Sequence, residues 1–461
     1  MHGISKHRDL PVTSICLAVA ALLLGIALYI SGGFYNTRAL QLVTLTYVLC
    51  VLGVILREVH LADGLGRRLT AFVLAAGLAY QLYRLFLDAV SWRPVVLILL
   101  VVTVLLSIKS ETIELPWVRL VLLMALLVPH FMIGLSAIRQ LVNPNFDVYW
   151  CHMQSLDALL KGINPHTLTL AYRPGDEVNY PASYVFGGRV HIGFPYPPLS
   201  LFLALPGYLL GGDYRYSSLA ATTLSGYFIA SARPSRISFL AAALFLSTPC
   251  MLPVLKMGWT EPFVVLLLSA TVFCACKAPR CLPWVLGLLF AVKQYAIFAG
   301  LAIFLLPIES ETLRAYAILV GKALLLATAI TLPWALWNVN GFINDVLSLQ
   351  FQLPFRMDAL SYLVWFTYNT GVQLPAAVGF LMMAPAAALM AWRGARTPAG
   401  FAAAVALIFL SFFVFNKTAF INYYFFVIGA MCCAVAASGA FGPGRIQEAQ
   451  SFEQRAGEKQ G

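Results

Sequence analysis

Four side chains hold most of the chemistry in this sequence, and each is a charge set among apolar neighbours. Asp147 stands in "NPNFDVYWCHMQSLDALLKGINPH", just beyond a long apolar run. Lys293 interrupts "GLLFAVKQYAIF", Arg356 lies two residues before Asp358 in "LPFRMDALSYLVWF", and Lys417 sits in "FNKTAFINYYFF" with Asn422 and Tyr423 close behind. A carboxylate at the right distance acts as a general base toward a hydroxyl. Arginine offers phosphate a bidentate fork and lysine a point charge. Together these groups describe transfer from a lipid-linked phosphate donor to an acceptor alcohol. Glu261, in "KMGWTEP", and Tyr196, in "HIGFPYPPLS", are further candidates. A tyrosine there either stacks on a sugar or anchors the chain at a membrane interface.

Such groups need a scaffold that can hold charge in lipid. Of the 461 residues, 61% are hydrophobic and 11% charged. A soluble domain carries about 25% charged residues, so this chain cannot cover a water-exposed globule. Apolar runs near 12–31, 39–56, 70–86, 95–107, 118–138, 236–255, 315–337, 372–392, 400–415 and 420–440 approach the length that crosses a bilayer. The shorter ones need help from flanking residues. The expected fold is all-α, an integral membrane bundle of about 11–13 transmembrane helices. A β-barrel would show alternating segments of about ten residues instead. The first run is long and lacks a small-residue cleavage site, so it reads as a span and not a signal peptide.

The net charge of +11 is not gathered into a nucleic-acid-binding patch. Lys and Arg punctuate the ends of apolar runs, as the positive-inside rule expects. Lys6 and Arg8 place the N-terminus in the cytoplasm, with Arg57, Arg67, Arg68, Lys109 and Arg119 on the same side. The fifth span then emerges outside. Four parts follow: N-terminal spans (1–138), an outer loop with juxtamembrane helices and Asp147 (139–198), C-terminal spans (199–441) and a disordered cytoplasmic tail (442–461). The second half threads by "ARPSR", "KAPR", "ESETLR" and "RGAR" on the inside. That threading makes "PWVLGLLFAVKQYAIFAGLAIFLLP" (283–307) a helical hairpin turning near Lys293. It also leaves an odd crossing: 197–211 and 216–231 both look buried, and one of them must be re-entrant or interfacial.

Asn145 is placed to cap a short helix through Val148, Tyr149, Met153, Leu156, Leu159 and Leu160, and Gly162 to end it. Asp147 in its first turn either completes that cap or serves as the base. Charges cost about 2.5–3.5 kcal/mol at the centre of a span, so Lys293, Arg356 and Lys417 on one face favour the base. The nine cysteines form no framework and no metal-ligand spacing. His152, His166 and His191 share the loop with Asp157, Asp176 and Glu177, again without diagnostic spacing. No metal and no cofactor are expected.

These stretches, in this order, resemble the GT-C superfamily of polyprenyl-phosphate-dependent glycosyltransferases. They are most similar to bacterial glycosyltransferase family 87, which uses polyprenol-phosphate-mannose. The resemblance rests on the Asp beyond a span followed by "ALLKGINPH", on "FPYPPLSLFLALP", on "GLLFAVKQYAIF", and on "FNKTAFINYYFFV", and covers about residues 130–440. It departs at Trp259-Thr260-Glu261, where the family tends to have Gly-Gln and an acid, and at Thr418, where it has Gln. The resemblance implies that Asp147 activates an acceptor hydroxyl for inverting attack, with Lys293, Arg356, Lys417 and His166 around the donor phosphate. The implied partners are a polyprenyl-phosphate-linked sugar (mannose or another hexose), a lipid or glycan acceptor and membrane lipids, with no nucleic acid. The implied place is the bacterial cytoplasmic membrane, the site facing the periplasm or cell exterior. A transporter or flippase of a polyprenyl-linked sugar or other anionic lipid is the alternative, using the same cations without a base.

Overall fold

A computed structural model describes residues 11–61, 64–88, 93–96, 98–99, 101, 115–172, 179–308 and 312–438. Lys6, Arg8, Lys109, Asp176, Glu177 and the tail at 442–461 lie outside the described residues. The chain forms α1 (Val12–Ser31), α2 (Thr37–Ile55), α3 (Leu65–Asp88), α4 (Pro116–Gln140) and the short α5 (Asp147–Leu160). Then come α6 (Leu199–Gly211), α7 (Arg215–Ala232), α8 (Arg236–Leu246), α9 (Met251–Met257), α10 (Glu261–Lys277) and α11 (Leu282–Val292). A 3-10 stretch (Gln294–Leu305) leads to α12 (Leu313–Trp337) and an irregular helical segment over 339–352. The chain closes with α13 (Tyr362–Thr370), α14 (Ala377–Arg393), α15 (Pro398–Val414) and α16 (Ile421–Ala437).

Local chemistry sets many of these starts. The Asn36 side chain accepts the Ala39 amide, Ser235 and Ser238 form a reciprocal capping box, and Thr312, Ser361 and Thr397 cap the helices that follow them. Each satisfies an amide that a helix start leaves without an intrahelical partner. α15 is buried on every side, as is α16, so both form the centre of the bundle. α12 is also apolar, yet only 17% of its most apolar window is buried. An apolar helix that is uncovered this far fits lipid and not water.

Five helices (α1 to α4 and α12) are each long and apolar enough to cross a membrane, and α8 with α9, bent by 49°, counts as a sixth only when the pair is taken as one span. Six apolar helices of 10–17 residues accompany them. The architecture is the expected polytopic all-α bundle. Among the described residues, fewer helices qualify by length and apolarity than the 11–13 anticipated.

The bundle has two distinct ends. At one, the Arg57 guanidinium donates to the Gly394 carbonyl and Arg393 to the Ile55 carbonyl, while Tyr316 bonds the carbonyls of Phe304 and Leu306. At the other, Phe34 bridges Ala359 and the Tyr35 amide donates to the Asp358 carbonyl. The odd crossing concerns α6 and α7. Both termini of α6 lie at the second end: it follows Tyr196, and the Asp213 carboxylate just beyond it accepts from Tyr149 and Arg215. Ser217 of α7 hydrogen-bonds Gly207 and Ala204, folding α6 back along the start of α7. α6 is a 13-residue apolar helix, and α7 is not among the helices long and apolar enough to cross a membrane.

Candidate active site

The site is built from α5, the chain that roofs it, and four helix starts. Asn143 takes a left-handed backbone (φ 55°) and Pro144 follows, turning the chain out of α4. The sequence placed Asn145 at the helix cap, but α5 starts one step later. Phe146 occupies the cap position, without a side-chain bond, and packs edge-on against Trp259 with ring centroids 4.7 Å apart. The apolar anchor outweighs the polar cap. Asp147 is therefore the first helical residue, its Oδ1 accepting the Val148 amide at 2.7 Å. Oδ2 accepts a hydrogen bond from the Tyr180 hydroxyl at 3.0 Å. Burial first, and then the Asp147 charge, push the Tyr180 phenol well above its ordinary pKa, so it remains a donor. Gly162 ends the helix with φ 71°, as its position suggested.

Lys293 comes from a break in a continuous apolar run. α11 stops at Val292, Lys293 is extended (φ −154°, ψ 145°), and a 3-10 stretch resumes at Gln294. α11 packs on α10 and α12, whereas the 3-10 stretch packs on α14 and α15. The Lys293 ammonium, 5% exposed, lies 2.5 Å from Oε1 of Glu261, which is wholly buried at the start of α10. It also donates to Thr260 Oγ1 at 3.2 Å, and Tyr295 donates to the same Glu261 oxygen at 3.3 Å. Glu261 Oε2 has no hydrogen-bond partner. Three tyrosine rings surround the ammonium: Tyr196, Tyr295 and Tyr423, at 5.1, 5.5 and 5.8 Å from their centroids. Tyr196 connects this cage to the acid. Its phenol is pushed well above the ordinary range by burial and then by the Asp147 carboxylate, with Glu261 contributing.

Arg356 and Lys417 form a second group on adjacent backbone, the Arg356 amide donating to the Lys417 carbonyl at 3.1 Å. The Arg356 guanidinium grips Asp358 through Nε (2.9 Å) and Nη2 (2.7 Å). Its Nη1 donates to Asn179. Asn179 and Tyr180 are neighbours, so one stretch of roof holds Arg356 through the first and Asp147 through the second. Lys417 turns its ammonium to two neutral acceptors, the carbonyls of Phe351 (2.9 Å) and Leu353 (2.5 Å). Its burial lowers its pKa from the ordinary lysine value. Asn422, in the first turn of α16, is buried with Oδ1 unpartnered.

Of the residues singled out from sequence, Tyr196, Tyr423, Glu261 and Lys293 are one cluster, with Asp147 beside Tyr196. Arg356, Asp358 and Lys417 are the adjoining cluster. His166 bonds neither cluster and faces a group that the sequence did not single out. Its Nδ1 is 3.0 Å from Asp345 Oδ2, both side chains buried. Asp345 sits on a π-helical turn (Ile343–Ser348), a geometry frequent at functional sites. The reading also missed Tyr180, Asn179 and Arg215. Buried Arg215 pairs with Asp213 and donates to the carbonyls of Leu141 and Lys256, tying three segments together. "GGDYRY", two opposite charges between apolar runs, was the available signal. His191 stacks on Phe186 in a small antiparallel sheet formed by β1 (Leu170–Ala171), β2 (Val185–Phe186) and β3 (Arg189–Val190), with β3 central. Among the described residues, no three His, Cys, Asp or Glu side chains are grouped to hold a metal ion.

This arrangement can hold a carboxylate ready to accept a proton beside a buried ammonium. Two ion pairs, Lys293–Glu261 and Arg356–Asp358, are fixed in the site, and of its cations Lys293, Arg356 and Lys417 the last has no carboxylate partner among the described residues. No family model and no curated protein matches the chain. Two crystal structures of ArnT from Cupriavidus metallidurans are similar to it. The one bound to undecaprenyl phosphate has 17% identity and a TM-score of 0.43 over 70% of this chain, and the one in the apo state has 18% identity and 0.43 over 69%. The chain thus spans 60% and 59% of the lengths of the two ArnT chains.

Proposed function

We propose that this protein is a membrane glycosyltransferase that moves a sugar, mannose or another hexose, from a polyprenyl-phosphate donor to an acceptor hydroxyl. Asp147 takes the proton of that hydroxyl as its oxygen attacks the anomeric carbon. The bond from that carbon to the phosphate oxygen breaks, polyprenyl phosphate leaves with the electron pair, and the configuration inverts. Tyr180 holds the carboxylate in place. Lys293, Arg356 and Lys417 balance the charge that the leaving phosphate gains, a task suited to preorganised cations in a dry site. The site faces the periplasm or exterior of a bacterial cytoplasmic membrane.

The observation that carries this reading is the position of Asp147. It is the partly buried acid beside Tyr196, whose ring also covers the buried Lys293 ammonium, at the end of the bundle opposite Arg57 and Arg393. The test is Asp147→Asn, assayed in detergent with a synthetic polyprenyl-phosphate-mannose, polyprenyl-phosphate-glucose and a membrane-lipid extract as acceptor. Loss of a positioned base lowers the rate about 10²–10⁴-fold while donor binding persists. Transfer at the wild-type rate removes Asp147 from the reaction. A protein that carries the lipid across vesicles equally well with either residue is a transporter.

A further inference from the structure

His152 lies five residues beyond Asp147 on α5 and is completely buried. Its Nδ1 is 2.9 Å from the Val148 carbonyl oxygen. A carbonyl only accepts, so Nδ1 must carry the ring proton. Nε2 is then a bare lone pair, and it has no hydrogen-bond partner. A buried acceptor without a donor is costly and requires an explanation.

The surroundings supply one. The ring stacks on Tyr214 (4.9 Å between centroids), meets Phe194 edge-on (5.0 Å) and tilts against Tyr196 (5.2 Å). Tyr196 is the ring that also covers Lys293. Burial, with a smaller push from the Lys293 charge, lowers His152 to a pKa of about 3, so the imidazole stays neutral at physiological pH. It cannot act as a second base there. It can act as a fixed acceptor. His130 has the same tautomer and the same bare Nε2, but it lines an apolar cleft among Leu85, Leu126, Ile133 and Met251, where nothing indicates a ligand.

We infer that His152 Nε2 accepts a hydrogen bond from a substrate hydroxyl, on the donor sugar or the acceptor alcohol, and so orients it beside Asp147. This rests on the reading of Asp147 as the base. Half-buried Tyr196 is the cover that must turn aside to admit the hydroxyl.

The test uses full-length protein with ¹⁵N-labelled histidine, and follows the Nε2 resonance of His152 on adding three probes. Polyprenyl-phosphate-mannose, methyl α-mannoside and sugar-free polyprenyl phosphate separate donor hydroxyl, acceptor alcohol and phosphate. A shift with either sugar, and none with the bare phosphate, is expected; which sugar acts identifies the source. No shift with any probe, or an equal shift with bare phosphate, overturns the assignment. In the transfer assay, His152→Phe keeps the ring and lowers kcat/KM about tenfold or more, while His152→Gln, which returns an acceptor oxygen, recovers most of it. Equal losses in both variants, or none, also overturn it. Failure of the Asp147 reading is distinct: Asp147→Asn would then match wild type while the labelled ring still responds to mannoside.

Discussion

The Lys293 ammonium and the Glu261 carboxylate, both less than a tenth exposed, illustrate what a single residue contributes here. Removing one partner of a buried pair leaves an uncompensated charge, at a cost of about 3–5 kcal/mol. Lys293→Met is therefore expected to lower the unfolding midpoint in detergent sharply. Lys293→Met with Glu261→Leu should regain most of that stability and none of the transfer activity. A single variant as stable as wild type would show that the pair is solvated. His152 gives the second prediction at this scale. Its folded pKa of about 3 is depressed, so its contribution to stability is complete above the unfolded value near 6.5. That contribution disappears as the pH falls between those values, by up to about 1.4 kcal/mol per unit. Acid unfolding of His152→Gln should be correspondingly less steep over that window, and an unchanged slope would contradict the depressed pKa.

At the scale of elements, the site depends on where regular structure fails. α11 must break at Lys293 for that side chain to reach Glu261, and the roof must meet the segment at 339–352. Gly193 is the point of contact. A Cβ there would come within 3 Å of Asp345 Oδ2 and of the His166 backbone, and the Asp345 carboxylate is held in place by the His166 ring through Nδ1 at 3.0 Å. Gly193→Ala should cost about 1–3 kcal/mol by overpacking, with transfer activity falling alongside the thermal midpoint. Gly187, with open space around its Cβ, is the wrong comparison because its φ of 57° adds strain. Gly321, open and helical, is the proper control and should tolerate alanine. The elements themselves were largely legible in sequence. Among the described residues the apolar runs became helices (most of 95–107 lies outside them), Gly162 ended α5, and the run through Lys293 broke where its charge stands. Residue caps were less legible: Asn145 yielded to Phe146 because packing on Trp259 outweighs one hydrogen bond.

For the whole molecule, the two ends of the bundle lead to a labelling experiment. Native Cys281 is exposed after α10, beside the "KAPR" stretch that the charge threading puts inside, while exposed Val142 precedes Asp147. Val142→Cys in a Cys281→Ser background should react with a membrane-impermeant maleimide on intact cells. Cys281 should react only after permeabilisation. Reaction of both from one side would contradict the threading. The long apolar face of α12, mostly uncovered, belongs against lipid at the same time.

The sequence determined the solvent. A chain this apolar, with cations at the ends of its runs, must place its backbone in helices within lipid, because no other donor or acceptor is available there. It also marked Asp147, Lys293, Arg356 and Lys417, since charge is costly in those surroundings. Pairing was decided only by tertiary structure. That Lys293 meets Glu261, that Asn179 and Tyr180 join Arg356 to Asp147, and that His166 finds Asp345 are contacts between residues 32 to 179 positions apart. Periodicity is a local property, and it carries no record of which distant side chain neutralises a charge.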